Sequence, residues 1–308
     1  MKGKKAPVLQ VNDLVVAFSM YQRGFHKKNL EVIHALSLEV GAGEIVAVVG
    51  SSGSGKSILA HAVLNLLPKN AVCSGDILYK GESLDSKKCK QLFGREIAFI
   101  PQSIDYLDPL MKVGEQVQGV YGTKERQREL FEKYQLSQET ENKYPFQLSG
   151  GMARRTLISG AMMHHPDLII ADEPTPGLDL DMAMETLKHF RDFADQGTAV
   201  LMITHDIDLA LNVADRVAVF YAGTILEEAP TADFIAGKEA VRHPYSKALI
   251  DALPQNSFTP IAGTQPYAGN LPSGCLFADR CIYRDEKCVG EQKMRDVSGG
   301  KVRCAHAT

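Results

Sequence analysis

No apolar run in this 308-residue sequence approaches the roughly 18–20 residues that a membrane-spanning helix requires, and the longest, around 45–49, is only strand-sized. The polypeptide is not expected to cross a bilayer. An excess of positive charge is also missing: 34 Lys and Arg against 37 Asp and Glu leave a net charge of −3. Duplex nucleic acid usually demands a broad basic field, so nucleic acid is not an expected partner. Cysteine is scarce, six in all, too few for a disulfide scaffold at this length. The basic start, 1–5, is followed by Gln10, Asn12 and Asp13 where a secretory signal would continue apolar, which points to a cytoplasmic protein. Compositional bias is lacking too: 44% hydrophobic and 23% charged residues, with 26 Gly and 14 Pro, exclude disordered, collagen-like and low-complexity chains. No internal repeat of fixed period is present, and the length suits about two domains, or one domain with an appendage.

What is present is ordered along the chain. Segments 8–18 and 31–40 are β-branched and roughly alternating, separated by a polar stretch containing Arg23, Lys27 and Lys28. They predict two strands of a small antiparallel layer. Residues 44–49 form an apolar run that ends in a Gly-Ser turn. Helical spacing (Leu59, Val63, Leu66, Leu67) follows over 57–67 until Pro68 stops it. Segments 168–171 and 199–203 are continuous apolar runs of the kind buried on both faces of a parallel sheet, with a helix predicted over 181–193 between them. Together these define an α/β core. From about 88 to 165 longer polar helical segments dominate (124–134 and 151–163), with no strand run after 97–100, which predicts an inserted helical subdomain. Segments 215–221 and 224–228, joined at Ala222 and Gly223, read as a terminal hairpin. Beyond Pro230 the composition turns to Pro, Gly and Cys, an appendage.

Gly50-Ser51-Ser52-Gly53-Ser54-Gly55-Lys56-Ser57 is a complete G-x-x-x-x-G-K-[ST] string between a predicted strand and a predicted helix. Its glycines let backbone N–H groups curl around phosphates, Lys56 reaches the β- and γ-phosphates, and Ser57 offers its hydroxyl to Mg²⁺. The second acidic element is 168–173, an apolar strand ending in Asp172 and Glu173. Asp172 is placed to hold the Mg²⁺ shell and Glu173 to polarise an attacking water.

Leu148-Ser149-Gly150-Gly151-Met152 then makes the resemblance specific, because it looks like the signature motif of ABC-transporter ATPase subunits and lies shortly before the second acidic element. That resemblance implies a P-loop, RecA-like α/β core with an antiparallel β subdomain and an inserted helical subdomain. It also implies that Ser149, Gly150 and Gly151 bind the γ-phosphate of ATP held by a partner subunit. A helix starting near Gly151 would aim its N-terminal dipole at that anion. Gln102 resembles the Q-loop glutamine that senses Mg²⁺ and water. Asp179, in Pro176-Gly177-Leu178-Asp179, resembles the D-loop aspartate, with Gly177 where the family more usually has Ala or Ser. His205 resembles the switch histidine that contacts the γ-phosphate and orients Glu173. Phe18 is the family's candidate adenine platform, with Tyr21 and Phe25 as rivals and a plain core position as the alternative.

The segment from His243 to Pro254, the cysteine-bearing tail and the segment 107–116 resemble the oligopeptide, dipeptide and nickel importer ATPases. This division places the ATPase domain at 1–228 and an importer-type extension at 229–308. The tail reads Cys275-x5-Cys281-x6-Cys288-x15-Cys304. Zinc sites usually use tighter knuckles, whereas four-cysteine iron–sulfur clusters accept varied loops, so a [4Fe–4S] cluster, zinc and ordinary reduced thiols all stay open. Cys73 and Cys89 have no partner at such spacing and read as packing or surface residues. The resemblance implies an ATP- and Mg²⁺-dependent ATPase on the cytoplasmic face of a membrane, with two permease subunits, a homologous second ATPase and, indirectly, an extracytoplasmic solute-binding protein. An ABC-type ATPase without a transporter, an exporter subunit and a small-molecule kinase are the alternatives. The extension is atypical of the first two, and the signature motif speaks against the third.

Overall fold

The computed structural model describes residues 6–21 and 27–307; the basic start 1–5 and Phe25 fall outside them. β1 (Pro7–Tyr21) and β2 (Lys27–Gly41) pair antiparallel, as their alternation predicts. After β3 (Ile45–Val49) and α1 (Lys56–Val63) the chain returns to this small layer with β4 (Ala71–Tyr79) and β5 (Glu82–Ser83), giving the order β2-β1-β4-β5. β4 escapes the hydrophobic pattern because most of its side chains are exposed. Gly75 lies on it opposite a bulge of β1, at φ 95°, where a Cβ would come 2.5 Å from the Asp13 carbonyl oxygen. Only glycine fits there. α1 stops before the predicted 67 because Asn65 turns left-handed at φ 53°.

The helical region follows: α2 (Ser86–Leu92), β6 (Ile97–Ile100), α3 (Val113–Gln118), α4 (Lys124–Lys133) and α5 (Gly150–Ala161). The core resumes with β7 (Leu168–Asp172), α6 (Leu180–Asp195), β8 (Ala199–Thr204), α7 (Ile207–Leu211), β9 (Arg216–Tyr221) and β10 (Thr224–Pro230). Beyond it come α8 (Thr231–Ile235), α9 (Pro244–Asp251), β11 (Arg295–Val297) and β12 (Gly300–Val302). The large sheet runs β11-β12-β10-β9-β3-β8-β7-β6, with β9, β3, β8, β7 and β6 parallel. The uninterrupted apolar runs have a simple cause. Ile45, Ala47 and Val49 enter one core together with Ile169 and Ala171, while Val46 and Val48 enter the opposite core with Leu168 and Ile170. Alternate side chains of one strand thus feed two cores, and each fully buried Val, Leu or Ile contributes about 1.5–3 kcal/mol. No helix among the described residues is long and apolar enough to cross a membrane.

The hairpin predicted at 215–228 is present but not terminal. β12 pairs with β10 and β11 with β12, so the tail extends the sheet. Strands of three residues are too short to show a period. The anchor is Glu227 on β10, wholly buried, whose carboxylate accepts from the main-chain N–H groups of Arg242 and His243, each at 2.8 Å. Arg242 also donates from Nε to the Val297 carbonyl at 2.9 Å and pairs with Asp233 at 2.6 Å.

His243 caps α9, its Nδ1 accepting from the Tyr245 N–H at 2.9 Å, so the proton sits on Nε2. Complete burial lowers its pKa from the ordinary 6.5 to about 3. Below 6.5 the unfolded chain takes a proton there that the folded chain refuses, so stability falls as pH drops through that window, by about 1.4 kcal/mol per pH unit from this group. His243→Asn keeps a capping side chain and should flatten the urea-unfolding free energy between pH 7 and pH 5. Equal slopes for the two proteins would refute the assignment.

Candidate nucleotide site

The loop 50–55 joins a fully buried strand to a helix, and its geometry is set by its glycines. A Cβ on Gly50 would lie 2.3 Å from the Phe220 carbonyl oxygen, and Gly55 stands at φ 101°. The wound loop brings Lys56 back over its own start: Nζ donates to the Gly50 and Ser51 carbonyls at 2.8 and 2.9 Å. Burial lowers the Lys56 pKa, and the neighbouring Glu173 and Asp172 carboxylates work against that shift. A buried ammonium facing a cradle of N–H groups is suited to a polyanion.

Asp172 ends β7, 2% exposed, and accepts a hydrogen bond from Ser57 Oγ at 3.1 Å. Burial raises its pKa, an effect that the Ser57 bond opposes. Two hard oxygens converging beside a phosphate cradle are a fitting donor set for Mg²⁺. Glu173 follows at φ 48°, an uncommon backbone for a non-glycine residue, held by its N–H donating to the Ile203 carbonyl at 2.8 Å. Its Oε1 lies 2.8 Å from His205 Nδ1, and Oε2 accepts from Thr204 Oγ1 at 3.3 Å. Thr204 Oγ1 in turn accepts from the Asp206 N–H at 3.0 Å. The structure therefore brings together Lys56, Ser57, Asp172, Glu173 and His205 from three neighbouring strands, and adds Thr204, which the motifs did not single out.

Gln102 is exposed, just after β6. Its main chain is clamped by Arg154, 3% exposed on α5, which donates to the Pro101 carbonyl and to the Gln102 carbonyl, the latter at 2.6 Å. Arg154 was missed. The available signal was a charged residue on an inward face of the helix that follows the signature string. Ser149 caps α5, its Oγ accepting from the Met152 N–H at 3.3 Å, and Asp179 caps α6 by accepting from the Met182 N–H at 2.9 Å. Gly177 stands at φ 81°, a conformation that suits glycine better than the usual Ala or Ser. Phe18 is half-buried against the core of the small layer, Tyr21 is exposed, and Phe25 lies outside the described residues.

In the tail, Cys275, Cys288 and Cys304 are buried and Cys281 half-buried, all free thiols. Burial pushes the Cys275 thiol up to about 11. Two residues that cysteine spacing does not reveal join one of them, Cys288: Asp285 Oδ1 lies 3.0 Å from His306 Nε2, which lies 3.5 Å from Cys288 Sγ.

These features can be set beside known proteins. Residues 33–176 match the family described as ABC transporter, and residues 226–288 match the oligopeptide/dipeptide transporter C-terminal region. The chain is 34% identical to the probable D,D-dipeptide transport ATP-binding protein DdpD of Escherichia coli (strain K12), over 97% of this chain and 96% of that one. It is also 34% identical to the oligopeptide transport ATP-binding protein OppD of Bacillus subtilis (strain 168), over 90% of this chain and 82% of the other. A bacterial ABC transporter cassette solved as a dimer shares the fold, with a TM-score of 0.64 at 24% identity, over 72% of this chain and 98% of that one. The chain belongs to the ABC transporter family, among the ATP-binding subunits whose ATP hydrolysis drives transport. Within that family it carries the architecture of the oligopeptide/dipeptide class.

Proposed function

We propose that this chain is the ATPase subunit of an importer for peptides, or for a related solute such as nickel or a metal chelate. It would act at the cytoplasmic face of a membrane, bound to two integral permease subunits. Two ATPase subunits, most simply this chain and a homologous partner, would enclose two ATP molecules. Lys56 and the N–H groups of 50–57 hold the phosphates, Ser57 and Asp172 hold Mg²⁺, Gln102 and His205 attend the γ-phosphate, and Phe18 is the adenine platform. Mg²⁺ when bound supplies charge neutralisation at the phosphates. Glu173, fixed by His205 and Thr204, takes the proton of the attacking water.

The observation that carries the dimeric reading is the signature string. A Cβ at Gly150 would meet nothing within 4 Å, and one at Gly151 would meet only the Gly177 carbonyl oxygen, at 3.9 Å. Among the described residues nothing crowds these two glycines, which leaves room for a partner's nucleotide to approach the N-terminus of α5. Asp179 at the neighbouring helix start would face the same partner. A groove lined in part by Phe93, Phe99, Tyr106, Leu107 and Val117 suits a docking permease helix.

The tail is proposed as a metal site. The thiols Cys275, Cys281, Cys288 and Cys304 suit a [4Fe–4S] cluster by donor chemistry, whereas the set Asp285, Cys288 and His306 suits zinc. One experiment tests the whole reading: anaerobic co-expression with the neighbouring genes, then purification in detergent with ATPase rate, iron and zinc content and co-purifying subunits recorded. Permeases, a second ATPase and stoichiometric metal are expected. A soluble ATPase complex without membrane subunits would overturn the transport reading, and metal-free protein would overturn the metal site.

A further inference from the structure

Ser51, the second residue of the phosphate loop, is held from two sides. Its carbonyl accepts from Lys56 Nζ, and its Oγ donates to Gln265 Oε1 at 3.3 Å, a residue 214 positions away in the extension. Gln265 is not carried there by a loose segment. Arg280 donates from Nε to the Ala262 carbonyl at 2.8 Å, from one terminal nitrogen to the Ile261 carbonyl at 3.2 Å, and from the other to the Tyr221 hydroxyl at 3.3 Å. Gly263 turns the segment at φ 76°, where an added Cβ would sit 3.4 Å from Arg280 Cγ. Beneath the strap, Tyr221 at the end of β9, Tyr245 of α9 and Phe277 pack as a triangle of rings, with centroids 4.6, 5.3 and 5.5 Å apart. The guanidinium of Arg280 stands over two of them, 5.8 Å from Tyr221 and 5.7 Å from Phe277. Tyr245 is 2% exposed; burial raises the pKa of its phenol, and the nearby Ser51 works against that shift.

A phosphate loop rich in glycine loses conformational freedom when it closes on a nucleotide, so whatever winds it beforehand strengthens binding. We infer that Gln265 is a positioning residue for ATP binding: pinned by Arg280, its carboxamide fixes Ser51 and keeps the first turn of the phosphate loop in the form that receives the nucleotide. The inference rests on 50–57 being the ATP site. It assigns to the extension a part in nucleotide affinity, separate from any metal in its tail.

The test is a double-mutant cycle in the full-length chain. Affinity for Mg·ATP is measured by titration calorimetry for wild type, Gln265→Ala, Ser51→Ala and the double variant. Each single substitution should weaken binding about two- to ten-fold, the worth of one hydrogen bond, and the double variant should be no weaker than the poorer single. In the assembled transporter Gln265→Ala should raise KM for ATP and leave kcat unchanged. Arg280→Lys should weaken binding in the same direction, with thermal unfolding recorded to separate loss of the strap from loss of fold. Wild-type affinity for Gln265→Ala, or effects that multiply in the double variant, would overturn the inference. Wild-type protein that binds no ATP would instead remove the nucleotide-site assignment beneath it.

Discussion

Glu173→Gln should bind ATP as wild type does and turn it over roughly 10²- to 10⁴-fold more slowly, the cost of losing a general base. The substitution suits the geometry. Gln has the length of Glu, and one amide oxygen can still meet His205 or Thr204, the two side chains that fix Glu173 at 2.8 and 3.3 Å. The backbone at φ 48° is held by the Ile203 carbonyl and does not depend on the carboxylate. Proton acceptance is therefore the property removed. The measurement pairs steady-state ATPase rate of the assembled complex with nucleotide affinity. Unchanged turnover would assign the base to another group, and lost affinity would mean that Glu173 serves to bind rather than to react. His205 is 54% exposed, so its other ring nitrogen is accessible to a ligand while Nδ1 faces the carboxylate.

Lys56→Ala should act one step earlier, weakening ATP binding itself by roughly 10- to 100-fold, the worth of a charge-assisted contact in a site with little water. Lys56 is 5% exposed and its ammonium holds the Gly50 and Ser51 carbonyls, so the substitution removes both a counter-ion and a brace of the loop. Burial of the ammonium is unfavourable without an anion nearby, as its lowered pKa records, and the bound phosphates relieve that cost. The variant should thus lose ligand affinity without losing its fold. Calorimetric titration with Mg·ATP beside a thermal melt checks both halves, and wild-type affinity would contradict the role of Lys56.

The parallel core and the cluster of polar residues at its strand ends were legible in the sequence because they obey local rules. The runs 45–49, 168–171 and 199–203 are apolar throughout since each feeds two cores, and the motifs at 50–57 and 172–173 sit where strand ends put them. What stayed hidden depends on contacts between distant positions. β4 is mostly exposed and has no apolar signature, and β11 and β12 are too short to have a period. Arg154 works through two main-chain carbonyls some fifty positions earlier, which no side-chain pattern reveals. His306 and Asp285 meet Cys288 only because the tail folds back on itself, so cysteine spacing alone names one of the three members of that set. Gln265 is one glutamine among many until the segment that Arg280 braces at Ile261 and Ala262 brings it beside Ser51.

The eight-stranded sheet ends at both sides in ways that bear on how it can meet a partner. One margin is β6, whose four residues are all buried, and the other is β11, only three residues long. Neither presents a long open row of N–H and C=O groups on which a second chain could extend the sheet. This sheet therefore offers little backbone ladder to a neighbour, and the proposed contact between ATPase subunits falls to the loops and helix ends at its nucleotide side, surfaces that can separate and re-form without tearing a sheet apart.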